Sequence, residues 1–331
     1  MHDTRFVAVL GMHRSGTSAV TRALNMIGVT LPGELMHNTQ HNRSGHWEAL
    51  EAVRIHDALL AANGYSWDDP FIPHDICVRH SDASATAQHD IAQFLATTVS
   101  PHQVAALKDP RICHMLPLWQ MACQNAQIAP CAIIMVRNPL EVAASLTARD
   151  HMPFSTGIQL WLRYMLAAER NTRGMPRVVV SYDQLVADWQ QALAPVCGLI
   201  GLSLPDAEST LGRQLSQFLN QNERHHTFSD ETLASQAAPY HGVYACYTQS
   251  LADINEAESQ RIFDAIQHQI NADDAALPAA IHELMRYHRR QAHHEIATLK
   301  AEITWRAGIM DAQAEEIMWR KSVMVGHNLE P

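Results

Sequence analysis

Phe6-Val7-Ala8-Val9-Leu10-Gly11-Met12-His13-Arg14-Ser15-Gly16-Thr17-Ser18 runs from an unbroken apolar stretch into a glycine-bracketed loop. The apolar run has the length of a strand buried on both faces, and a loop that opens a helix places several backbone N–H groups and a helix dipole around one anion. A nucleotide-hydrolysing phosphate loop reads G-x-x-x-x-G-K-[ST]; Gly11, Gly16 and Ser18 fit that frame while Thr17 stands in the lysine position. Without that lysine, metal-assisted phosphoryl transfer loses its principal cation. Arg14, two residues before Gly16, supplies a guanidinium inside the loop instead. By itself the segment also fits an ordinary strand-turn-helix.

The chain has a second strand-and-helix signal of the same kind. Cys131-Ala132-Ile133-Ile134-Met135-Val136 reads as a buried strand, Arg137 follows it, Pro139 suits a first helical turn, and Ser145 lies eight residues beyond Arg137. Alone, Arg137 fits a solvated strand end and Ser145 a helix surface. Together with R-S-G-T-S after the first strand, they resemble the cofactor site of the sulfotransferases that use 3′-phosphoadenosine 5′-phosphosulfate (PAPS). The resemblance covers roughly residues 5 to 228. It implies that Arg14, Ser15, Gly16, Thr17 and Ser18 form the 5′-phosphosulfate loop and that Arg137 with Ser145 clamps the 3′-phosphate.

The same resemblance places Lys108, after Val104-Ala105-Ala106-Leu107, beside the transferring sulfonate. Lys108, Lys300 and Lys321 are the only lysines, so a compact point charge is singular in the first 299 residues. Many small-molecule sulfotransferases carry a histidine two residues past this lysine; Pro110 stands there. Ser44-Gly45-His46-Trp47-Glu48 resembles a G-x-W-E element of bacterial relatives and nominates Glu48 as general base, which requires a carboxyl pKa raised by partial burial. Glu48 also fits a first-turn carboxylate facing a helix dipole, and Asp109 and His46 remain rival bases. Catalysis is thus expected from Glu48, Lys108 and Arg14.

Composition bounds the remainder. The 331 residues are 47% hydrophobic and 18% charged, a globular balance, and the net charge of −10 argues against general nucleic-acid binding. No run approaches the length of a membrane span, and no leader pattern precedes Phe6, so an unanchored cytoplasmic enzyme is expected. Six cysteines without a C-x-x-C pair read as core thiols. His37, His41, His46 and His56, and the later pairs His225-His226 and His293-His294, have irregular spacing, so no metal site is expected. Arg224 and His225 fall where relatives carry a late basic element.

Alternating strand and helix signals predict an α/β fold: a three-layer, P-loop-type parallel sheet flanked by helices. Helices are expected over Ser18–Ile27, Trp47–Leu60, Ala87–Val99, Ile112–Cys123, Ile158–Arg170 and Trp189–Ile200, and a further strand at Arg177–Val180. Residues 1–245 read as this sulfotransferase-like domain and 246–331 as an all-helical extension, broken at Pro278 and Asn271. There Ile296, Ile303, Met310 and Ile317 recur every seven residues while Leu299, Arg306 and Gln313 between them are mostly polar, half of a coiled coil. That helix suits a homodimer contact or a weakly packed surface helix.

The acceptor is assigned to the variable segments Met36–His46, Tyr65–Cys77 and His151–Gln159, with Trp67, Phe71, Trp119, Phe154 and Trp161 as candidate stacking rings. Family style favours a carbohydrate or glycolipid hydroxyl. A nucleotide kinase or NTPase, and a non-catalytic nucleotide-binding assembly module, are the competing readings.

Overall fold

The computed structural model describes residues 4–36, 45–77, 82–219, 226–238 and 240–327. In chain order the elements are β1 (Arg5–Leu10), α1 (Thr17–Met26), α2 (Leu50–Ala62), α3 (Asp82–Thr98), β2 (Val104–Lys108), α4 (Ile112–Asn125), β3 (Ala129–Val136), α5 (Pro139–Asp150), α6 (Phe154–Asn171), β4 (Arg177–Ser181), α7 (Tyr182–Ala187), α8 (Trp189–Ile200), α9 (Thr210–Leu219), α10 (Asp230–Gln236), α11 (Val243–Leu251), α12 (Ala257–Ala276) and α13 (Ala279–His327).

The strands form one sheet in the order β2-β1-β3-β4, and every neighbouring pair is parallel. Side chains alternate across such a sheet, and both faces here are buried. Phe6, Ala8 and Leu10 of β1 join Ala132, Ile134 and Val136 of β3 in one core. Val7, Val9, Cys131, Ile133 and Met135 join the other, against α1 and α8. The continuous apolar runs in the sequence are this double burial. A one-residue slip of β1 against β3 would exchange the two sets, so the two cores fix the register that pairs Val7 with Cys131.

The chain divides into two compact units, Met1–Ala272 and Asp273–Pro331. The first unit thus runs past residue 245, where the composition changes. Cys246, Tyr247, Phe263, Ile266 and Ile270 are buried in the same core as Phe6 and Leu10, which ties α11 and much of α12 to the sheet domain. Asn271 lies within α12 and breaks nothing, whereas the chain does break before α13, at Pro278. In the second unit α13 is a single helix with Ile296, Leu299, Ile303, Trp305 and Met310 exposed. Among the described residues no helix is long and apolar enough to cross a membrane.

Candidate active site

The C-terminal ends of the parallel strands and the loops that leave them build one cleft, as expected where ligands bind open α/β sheets. It is lined by loop and helix residues including Arg14, Gly16, Thr17, Ser18, His46, Glu48, Lys108 and Arg137. The cleft is open to solvent.

The loop after β1 takes its shape from its glycines. Gly11 has φ 135° and Gly16 φ 90°, and Arg14 between them adopts φ 70°, uncommon for a residue with a side chain. A Cβ on Gly16 would lie 2.3 Å from Cδ2 of Tyr182. α1 then begins at Thr17 with no side-chain cap on its first turn, which leaves that turn suited to an anion. Ser15 Oγ is buried and has no hydrogen-bond partner among the described residues.

Three residues read from separate motifs meet directly. Arg14 Nε donates to Ser145 Oγ at 2.8 Å, and Arg137 Nη1 donates to the Arg14 carbonyl at 3.1 Å. Arg137 is aimed by Glu141, one turn along α5, whose buried carboxylate accepts from Arg137 Nε at 2.8 Å. Its guanidinium also sits 4.4 Å from the centre of the Tyr182 ring. Pro139 occupies the first turn of α5 and Asn138 caps it, which fixes the position of Ser145 relative to Arg137.

On the other side of the loop, Lys108 ends β2. Its Nζ donates to the His46 carbonyl at 3.1 Å and pairs with Glu48 Oε1, with both side chains almost wholly buried. Ser18 Oγ donates to the same carbonyl at 3.2 Å. Glu48 is therefore tied to Lys108 rather than standing alone.

The rival bases are differently placed. Asp109 stands at a strand end, where a nucleotide hydrolase would hold magnesium, but both its oxygens are engaged. Oδ1 accepts from the Arg111 amide at 3.0 Å and from Arg111 Nη1 at 2.8 Å, and Oδ2 from His56 Nδ1 at 2.7 Å. Burial opposes its charge, yet Arg111 and His56 overcome this and hold the carboxyl well below the usual carboxylate range. His56 Nε2 in turn accepts from Trp119 Nε1 at 2.8 Å, so this histidine links Asp109 to the Trp119 ring in the core. His46 lines the cleft, and burial lowers its pKa. Among the described residues no group of three metal-ligating side chains stands together.

His13, Arg149, Tyr182 and Phe218 also line the cleft and were not anticipated as site residues. Tyr182 was findable, since it directly follows a strand end as Arg137 does. His13 gave no signal beyond its place beside Arg14; burial drives its pKa well below 6.5, and its Nε2 has no partner among the described residues. Of the candidate stacking rings, Trp119 and Trp161 are core. Trp67 lies 4.5 Å from the His13 ring with Arg149 over it at 5.8 Å, and Arg163 covers Phe71. His37, His41, Arg224 and His225, and most of the Met36–His46 segment, lie outside the described residues.

A fully parallel sheet with cations gathered at its strand ends defines an α/β protein whose cleft suits an anionic ligand. The sulfotransferase family model matches residues 7–206. That span is well over half of the chain, which therefore belongs to the sulfotransferase family, whose reaction is sulfuryl transfer. Solved structures with detectable likeness include the sulfotransferase domain of the Synechococcus PCC 7002 olefin synthase, 17% identical over 72% of this chain and 96% of that one, TM-score 0.38. The sulfotransferase domain from the curacin biosynthetic pathway is 17% identical over 81% and 99%, TM-score 0.37. A mouse sulfotransferase complexed with PAP is 14% identical over 80% and 84%, TM-score 0.35. A search of curated proteins found no match.

Proposed function

We propose that the chain is a PAPS-dependent sulfotransferase that moves a sulfuryl group to a hydroxyl of a carbohydrate or glycolipid acceptor by in-line displacement. The observation that carries this reading is the meeting of Arg14, Arg137 and Ser145 through hydrogen bonds of 2.8 and 3.1 Å. A nucleotide with a phosphate on its 3′-hydroxyl needs donors beyond those of the 5′ loop, which Arg137 and Ser145 supply beside Arg14, and ATP needs none there.

The residues present fit such a donor. Ser15 Oγ is an unsatisfied buried hydroxyl in the loop, and the space a Cβ at Gly16 would need is already filled by Tyr182, so the backbone itself forms that part of the wall. Arg14, the Ser15 hydroxyl and the backbone N–H groups of Gly16, Thr17 and Ser18 bind the 5′-phosphosulfate, and Arg137 with Ser145 binds the 3′-phosphate. The donor supplies an activated sulfuryl group with a phosphate leaving group. Lys108 stabilises charge at the transferring sulfonate, and Glu48, once Lys108 turns to that group, takes the acceptor's proton. No metal is assigned a role.

Six buried, unpaired cysteines support a reducing, cytoplasmic setting. Exposed Ile296, Ile303 and Met310 support α13 as a homodimer contact of coiled-coil type.

The test is comparative. 3′-Phosphoadenosine 5′-phosphate (PAP) should raise the melting temperature while ATP with magnesium raises it little. Label from PAPS should then appear in a hydroxyl acceptor. Protection by ATP alone points to a kinase or NTPase, and PAP binding without transfer to any acceptor pool points to an assembly module.

A further inference from the structure

Gly45-His46-Trp47-Glu48 lies across the cleft between Ser18 and Lys108. Its far end is pinned by an antiparallel bridge in which the Met36 amide donates to the Glu48 carbonyl and the Leu50 amide to the Glu34 carbonyl, both at 2.8 Å. Gly45 has φ 96° and Trp47 φ 57°. The first is ordinary for glycine. The second holds an aromatic residue in the left-handed region, which L side chains disfavour.

That strained conformation directs the His46 carbonyl. Its oxygen accepts simultaneously from Lys108 Nζ, which the proposed reaction assigns to the sulfonate, and from Ser18 Oγ, which belongs to the loop assigned to the phosphosulfate. The Ser18 hydroxyl has a single proton, and Lys108 Nζ gives one of its three to this carbonyl and one to Glu48, so a phosphosulfate that draws on Ser18 Oγ and on the carbonyl-facing proton of Lys108 must displace the carbonyl. A half-turn of the His46–Trp47 peptide plane resolves the conflict. It swings the carbonyl out of the cleft and brings the Trp47 N–H to the side it left. The same rotation moves Trp47 from φ 57° to about −120°, the extended region open to any residue.

We propose that donor binding flips the His46–Trp47 peptide, replacing a carbonyl that blocks Ser18 and Lys108 with a backbone N–H that contacts the phosphosulfate. This rests on the PAPS reading and extends it: Trp47 becomes a donor-contacting residue through its amide, and its backbone strain favours the bound state. Glycine relieves that strain in the resting conformation, whereas alanine keeps it and still removes the indole.

The experiment compares Trp47→Gly with Trp47→Ala in the full chain, after circular dichroism shows that both fold, by titration with PAP and with PAPS. The glycine variant is expected to bind PAPS about fivefold or more weakly than the alanine variant. In 15N-tryptophan-labelled wild type, with the Trp47 amide assigned by its loss in Trp47→Phe, saturation with PAPS should shift that resonance. Equal affinities of the two variants, or an unmoved Trp47 amide at saturation, overturn the flip. Failure of PAP and PAPS to bind even the wild type overturns the donor reading and the flip together.

Discussion

Arg137 both aims at the proposed 3′-phosphate and neutralises Glu141, and the two roles separate in a pair of variants. Arg137→Met alone leaves the Glu141 carboxylate fully buried without its guanidinium. Breaking a buried ion pair from one side costs about 3–5 kcal/mol. At roughly 2 °C per kcal/mol for a unit of this size, the melting temperature should fall by about 6–10 °C. Replacing both partners, Arg137→Met with Glu141→Leu, removes the stranded charge, and such apolar replacements are often neutral to within about 1 kcal/mol. The double variant should therefore melt within a few degrees of the parent. PAP binding should not return, because charged hydrogen bonds of about 1.5–3 kcal/mol each are gone from the clamp, a loss of roughly a hundredfold in affinity. Calorimetric melting and PAP titration of the three proteins make the measurement. A double variant that regains stability and also binds PAP within about threefold of the parent would refute Arg137 as a phosphate ligand.

Gly16→Ala places a methyl 2.3 Å from the Tyr182 ring at a left-handed position, so the ring must leave the face of Arg137; PAP affinity should drop at least about tenfold, and an unchanged titration would separate the loop from the clamp. Glu48→Gln should lower turnover by about 10²–10⁴ with PAP protection retained if Glu48 is the base, whereas activity within a few-fold of the parent removes it from that role. His114 is buried, and burial lowers its pKa to about 3. Between about pH 6.5 and pH 3 the unfolded chain thus binds a proton at His114 that the folded chain does not, and stability falls as pH falls through that window. His114→Phe removes the contribution, so between pH 7 and pH 5 urea unfolding should move by about 2 kcal/mol in the variant's favour relative to wild type; parallel profiles would contradict the assignment.

The sheet was legible because its central strands β1 and β3 are buried on both faces and so read as apolar runs, and because α8 runs from Trp189 to Ile200 and is capped by Gly201 as its pattern and following glycine predict. Arg14, Lys108 and Arg137 were legible because each stands in the loop or at the strand end that projects it. What escaped was mostly tertiary, with one local exception. The carboxylate of Glu141 looks like an ordinary first-turn helix charge, and its i,i+4 pairing with Arg137 is hidden because Arg137 lies just before the helix. Asp109 reads as a rival base or as a holder of Arg111 or Lys108; Arg111 is two residues away, and the second partner, His56, reaches it only when α2 packs against the end of β2. The extent of the sheet domain was missed because Phe263, Ile266 and Ile270 carry the spacing of any amphipathic helix, and nothing local states which surface they cover.

The cleft gathers Arg14, Lys108, Arg137 and Arg149 around one carboxylate, Glu48, in a chain whose net charge is −10. Away from the molecule the field is repulsive to a polyanion, and close to this opening it reverses. An anionic ligand, such as the proposed nucleotide donor, thus meets a barrier before a well. Added salt, with a screening length of about 10 Å at 0.1 M, lowers the barrier and shallows the well together. Capture rate and residence time therefore respond to ionic strength in opposite senses, and the salinity around the enzyme sets which of the two governs turnover.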